Sequence, residues 1–153
     1  MCRGQRVARQ EFFEPSDVYR GRQYFMSRYI EVSKKKYTEY PEYEPNCKLI
    51  GGKLAELKTQ GERRAAEDYN IKIVQCDCYY YIGLYYREEI KGWVYKSDNS
   101  TATYLVWNPY YNIRCRLADK CHCAALATRL MYNVKCIPNK LDLHLCEVPT
   151  PVC

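Results

Sequence analysis

Apolar and polar positions change their period several times along this chain of 153 residues, and each change marks an element. Residues 1–18 are polar and charged with little periodicity, so 1–19 reads as an N-terminal extension and 20–153 as one domain. Residues 24–32 have strand composition, rich in Tyr, Phe, Ile and Val. Pro41 and Pro45 cannot both lie inside one helix, so a short helix is predicted to start at Pro45 and lead into Cys47. Gly51-Gly52 ends it, and 53–57 reads as a connector. Thr59-Gln60-Gly61-Glu62 is a capping box that opens a helix over about 60–69, with Ala65, Ala66 and Tyr69 on one face. Residues 71–74 alternate with polar neighbours. Short strands are expected at 78–86, 92–96 and 104–107, the last two around the turn Ser97-Asp98-Asn99-Ser100. Residues 108–120 have no clear period and read as a long loop. Strands follow at 123–126 and 134–137, and 141–147 alternates as a terminal strand. Two helices followed by many short strands make an α+β fold.

Ten cysteines in a chain of this length indicate an oxidised disulfide framework and hence a secreted protein. No apolar run approaches the ~18 residues of a membrane helix, so no membrane insertion is expected. Met1-Cys2-Arg3 starts basic and stays polar, and the chain is read as mature or trimmed. The net charge of +6 suits an acidic partner but is modest for a nucleic-acid binder, and Lys34-Lys35-Lys36 is the one basic run, a solvated strand end or loop. Tyrosine, 17 residues, supplies rings to bury and hydroxyls to display. Tyr79-Tyr80-Tyr81 and Tyr85-Tyr86 fit sheet packing, whereas Tyr110-Tyr111, between Asn108 and Asn112, fits a contact surface.

No catalytic signature is present. There is no Gly-x-Ser-x-Gly, and the two histidines stand in no recognisable triad. His144 falls in the terminal strand, and Glu88-Glu89 read as a solvated turn. Cys76-x-Cys78 and Cys121-His122-Cys123 lack the C-x2-C spacing usual for structural zinc, which favours disulfides. Asn99-Ser100-Thr101 is a sequon that makes Asn99 a candidate glycosylation site.

Several local motifs occur in a telling order: Cys47 followed by Gly51-Gly52-Lys53-Leu54-Ala55, then Tyr81-Ile82-Gly83-Leu84, Trp93 and Trp107, and finally Cys123, Cys136 and Cys146-Glu147. Over residues 20 to 148 this set resembles the C-type lectin-like domain, a double-loop fold with paired terminal strands, two helices and a long irregular loop that carries the binding site. The resemblance implies the pairs Cys47–Cys146 and Cys123–Cys136. Cys2, Cys76, Cys78, Cys115, Cys121 and Cys153 remain, with 15 possible connectivities. Paired terminal strands would bring Cys2 near Cys153, and bridges between Cys76 or Cys78 and Cys115 or Cys121 are favoured; an interchain bridge, giving a disulfide-linked oligomer, is the rival.

Sugar-binding members of that family hold calcium with Glu-Pro-Asn or Gln-Pro-Asp in the loop and Trp-Asn-Asp before the penultimate cysteine. Asn108-Pro109-Tyr110 and Met131-Tyr132-Asn133 stand at those places here, so the carboxylates that calcium requires are missing. The expectation is a non-catalytic recognition protein with no cofactor, weak calcium binding apart. It takes an extracellular protein or glycan on Asn108, Pro109, Tyr110, Tyr111, Asn112 and Asn133. A calcium-dependent lectin with an atypical site, and a matrix-, mineral- or ice-associated structural protein, are the alternatives.

Overall fold

The C-terminal strand is the axis of the molecule. The computed structural model describes residues 12–27, 30–31, 43–109, 121–127, 129–136 and 141–150. In it β8 (Leu141–Pro149) pairs antiparallel with β1 (Arg22–Met26), β2 (Ile30–Glu31) and β3 (Lys53–Leu54). It pairs parallel with β4 (Tyr80–Arg87), through Tyr80 opposite Leu143 and Tyr81 opposite His144. β4 carries β5 (Gly92–Tyr95) and β6 (Cys123–Ala127), and β6 turns back into β7 (Leu130–Val134). The strand order is β1-β8-β4-β6-β7.

Both faces of β8 and β4 are covered, and period-two alternation therefore feeds two cores at once. Leu143, Leu145, Tyr80, Ile82 and Leu84 face the larger cluster, under the second helix; Cys146, Val148 and Tyr81 face the smaller one, beside the first. The helices among the described residues are α1 (Tyr43–Leu49) and α2 (Gln60–Tyr69). Half of the predicted capping box forms: Thr59 Oγ1 accepts from Glu62 N at 3.1 Å, while Glu62 Oε2 reaches one residue past the cap and accepts from Lys58 N. Ala66 and Tyr69 are buried, as the face predicted. The Tyr69 hydroxyl accepts from Met26 N and donates to the Glu14 carbonyl, tying α2 to β1.

Cys47–Cys146 joins α1 to β8, and Cys123–Cys136 ties the start of β6 to the chain just after β7. In the loop-entropy model the first closes about 100 residues, worth up to ~4.7 kcal/mol, and the second a short loop worth ~3 kcal/mol.

Three expectations need correction, and one stretch left without an element takes its own form. Cys76 and Cys78 are bonded to each other, not across to Cys115 or Cys121, because the chain reverses at Asp77 and brings the two Cα atoms to 5.4 Å. Cys121 is itself disulfide-bonded, and Cys2, Cys115 and Cys153 lie outside the described residues. The alternating stretch after α2, to which no element was assigned, continues the helix as a π turn, Asn70–Val74, that buries Val74, exposes Ile71 and Ile73, and ends at Gln75 in the left-handed region at φ 55°. Residues 104–107 join no strand and make only a single bridge, Trp107 to Met131. The strand read at 134–137 is displaced to Leu130–Val134, since it must start at the hairpin tip to pair with β6.

Candidate functional site

The segment entering the long loop lies along β7. Met131 N donates to the Val106 carbonyl and Asn108 N to the Met131 carbonyl, each at 2.8 Å. Asn108 Nδ2 then donates to the Tyr132 hydroxyl at 2.9 Å. The two motifs that the sequence placed far apart, Asn108-Pro109 and Tyr132-Asn133, are thus side by side. Tyr132 is half-buried, with Tyr79 edge-on to its ring at 5.1 Å. Asn133 lies on the other face of β7 and is 5% exposed, so the alternation that shows Tyr132 to the surface turns Asn133 inward. Pro109 is exposed. Tyr110, Tyr111 and Asn112 fall outside the described residues.

Next to this segment runs a row of four rings. The β4–β5 register sets Tyr86 opposite Trp93. Trp93 stacks at a tilt on Trp107, with centroids 4.6 Å apart, and meets Tyr86 at 5.6 Å; Tyr86 in turn meets His122 at 5.2 Å. All four are half-buried, and His122 Nε2 lies 3.5 Å from a carboxylate oxygen of the exposed Glu88. Such a row offers ring faces and edges to a ligand while the chain behind it stays fixed. Sequence reading saw the tryptophans as flanks of a turn and missed the row, because its members come from four separate segments. The one available signal was the density of Trp, Tyr and His at 86, 93, 107 and 122.

The charged groups gather elsewhere, round a cleft of about 530 Å³ beside Gly52 and Pro149. Arg22 Nη1 is 3.1 Å from Glu62 and 3.7 Å from Glu147, and Lys53 and Lys58 approach Glu56 at 3.2 and 3.8 Å. Glu147 Oε1 accepts from Glu56 N, yet burial holds the Glu147 carboxyl above the usual range, with that bond, Lys53 and Arg22 opposing. This network knits β1, β3, α2 and β8 together. Among the described residues, the one group of three or more His, Cys, Asp or Glu side chains close enough to share an ion is Cys47, His144 and Cys146, and both sulfurs are committed to their disulfide. Asn99 sits exposed at the tip of its turn, with φ 58° and its amide donating to the Tyr95 carbonyl.

Paired terminal strands, two helices, a loop entered along β7 and the two disulfides in their places decide the architecture. This is a C-type lectin-like fold. The chain is similar to human lithostathine, at 17% identity with a TM-score of 0.68 over 90% of each chain. It is similar to the carbohydrate-recognition domain of mouse scavenger receptor C-type lectin, at 14% identity and TM-score 0.66, over 88% of this chain and 95% of that one. It also matches a calcium-independent type II antifreeze protein, at 14% identity and TM-score 0.63, over 88% and 91%. No protein-family model matches the sequence, and no curated protein does.

Within this C-type lectin-like domain, Cys146-Glu147 and Gly51-Gly52 keep a structural part. Glu147 bonds the β3 backbone extension, and a Cβ on Gly52 would collide with the Glu147 carbonyl and with Val148. Gly83 is equally constrained: a Cβ there would lie 2.9 Å from Glu56 Cγ and 3.0 Å from the Leu54 carbonyl.

Proposed function

We propose that this domain is a secreted, non-catalytic recognition module that takes an extracellular protein or glycan on the surface where Asn108, Pro109 and Tyr132 meet the row of Trp107, Trp93, Tyr86 and His122. The single observation that carries the reading is that row of half-buried rings, set beside an amide locked by its own hydrogen bond. Rings and amides bind by stacking and hydrogen bonding, and none of these groups supplies a nucleophile activated by a base. Tyr110, Tyr111 and Asn112, which follow Pro109 in the sequence, belong to the proposed contact set, and Asn133, being buried, does not face the ligand directly. Lectin-like neighbours include a carbohydrate-recognition domain and a calcium-independent protein, which fits recognition without a metal requirement. The disulfides fit an oxidising, extracellular setting, and Asn99, on its exposed turn, is the glycan attachment site.

The test is capture from extracellular fluid on the immobilised domain, run beside a glycan array, each with calcium and with chelator. A specific protein or glycan held equally in both conditions, and lost in Trp93→Ala, supports the reading. Binding that survives Trp93→Ala unchanged would remove the ring row from the site, and binding abolished by chelator would make the domain a calcium-dependent lectin.

A further inference from the structure

A second cleft, of about 580 Å³, opens where the end of α2, the π turn and the Cys76–Cys78 bridge face Tyr80 and Arg129 of the β6–β7 turn. Two buried acceptors belong to its lining and have no partner: Glu67 Oε1 and Asn70 Oδ1. They stand three residues apart, on one face of the helix end. Glu67 is 9% exposed. Its other oxygen, Oε2, accepts from Arg63 Nη1 at 3.1 Å, and the same guanidinium donates to the Tyr104 hydroxyl and the Arg129 carbonyl. Asn70 Nδ2 donates to the Cys76 carbonyl at 2.9 Å, which fixes the amide with Oδ1 as its open end. Buried acceptors without donors are costly, and here both belong to residues that line one opening.

The electrostatics select the sign of what would fill it. α2 has no basic residue in its last turn, and Lys72 in the π turn is exposed. A helix C-terminus favours a cation. Burial raises the Glu67 carboxyl above the usual range, with Arg63 opposing, so a further cation at Oε1 would relieve the cost of ionising it. Asp77 adds a second carboxylate to the lining, against the one guanidinium of Arg129. Apart from Gln75 the remaining wall is apolar: Cys76 and Cys78 are half-buried, and Ile71 stands 67% exposed.

We propose that this cleft binds a protonated primary amine on a short apolar stem, the chemistry of a lysine side chain. The ammonium has three donors to give to Glu67 Oε1 and Asn70 Oδ1, and the stem lies against Ile71 and the disulfide. Exposed Ile73 and Tyr79 on the flanking residues offer a partner protein surface to cover, so the amine is carried by a protein. The lining shares no residue with the ring row or with Asn108, flanking Tyr79 alone touching Tyr132 of that surface, and the amine site stands whether or not that surface is the recognition site.

The test follows amide shifts by NMR in the whole domain while N-acetyl-lysine amide is added, beside N-acetyl-norleucine amide, which has the stem and no ammonium. The expected result is saturable shifts at Asn70 and Cys76 with the lysine probe and none with norleucine. Glu67→Gln should weaken binding at least about tenfold, Asn70→Ala about threefold, and Arg129→Ala should tighten it about twofold by removing a like charge. If Glu67→Gln fails to fold, the opposite signs expected at Asn70 and Arg129 still decide. Binding of acetyl-Ala-Lys-Ala-amide about tenfold tighter than n-pentylammonium marks a protein-borne lysine, and equal affinity marks a free amine. Equal binding of lysine and norleucine probes, absence of any shift, or loss of binding in Arg129→Ala would overturn the assignment.

Discussion

Replacing Glu56 with alanine should cost this domain about 3–4 kcal/mol, and replacing it with glutamine about 1 kcal/mol. The Glu56 side chain is 1% exposed and works as a strap between β3 and the turn after β5. Oε2 accepts from Ser97 N at 2.8 Å and Oε1 from Ser97 Oγ at 2.9 Å. Two hydrogen bonds to a charged acceptor are each worth ~1.5–3 kcal/mol. Lys53 and Lys58 add little, because their side chains are 39% and 41% exposed and water screens them. Alanine removes both bonds and strands the Ser97 amide. Glutamine keeps an acceptor for that amide and offers a donor to the hydroxyl, so it isolates the charge from the shape. Urea unfolding of both variants gives the two numbers, and for a chain of this size alanine should lower Tm by roughly 10 °C. An alanine variant within ~1 kcal/mol of wild type, or a glutamine variant as damaged as alanine, would refute the strap.

The Tyr110→Ala, Tyr111→Ala double change should weaken partner binding by ~2 kcal/mol, measured by calorimetry on whatever the capture experiment returns, with little change in Tm. Millimolar calcium should leave Tm within about 1 °C, since at a hundredfold excess over the dissociation constant a real site would add ~2.7 kcal/mol. Burial raises the folded-state pKa of Glu147, so the native state takes up its proton first as pH falls. Wild type should therefore gain stability relative to Glu147→Gln between neutral pH and ~4.3, the unfolded value, and lose that gain as pH rises again; urea midpoints across the range will show it. Peptide mapping without reduction should recover Cys47–Cys146, Cys123–Cys136 and Cys76–Cys78.

What could be read from the chain was what local chemistry dictates. Thr59 and Glu62 announce the start of α2 because a capping-box pattern is complete within four residues. The cysteines at 47, 123, 136 and 146 keep their family spacing, and their pairing followed. Asn108 and Tyr132 were read in two separate motifs, and their hydrogen bond joins residues 24 apart, which no local pattern encodes. The stretch after α2 stayed unassigned because Ile71, Lys72, Ile73 and Val74 suit a strand as well as a turn of helix, and only the fold shows the helix end carrying on. Cys76 was assigned across the fold because distance along the chain does not reveal the reversal at Asp77. Glu67 and Asn70 drew no notice, since one polar residue on a helix looks like another until its neighbours leave an oxygen bare.

Four strands pair with β8, and among the described strands β8 comes last in chain order. During synthesis β1, β2 and β3 therefore wait with unfilled edges until residues 141–149 clear the ribosome, and half of Cys47–Cys146 waits with them. Until residues 141–149 are available, the domain holds exposed strand edges and an unpaired thiol at Cys47, the state in which a sheet protein is most open to wrong pairing. Loss of residues 141–149 would leave the sheet without its centre, not merely shorten its rim. An added C-terminal tag, by contrast, meets a strand that is already complete at Pro149.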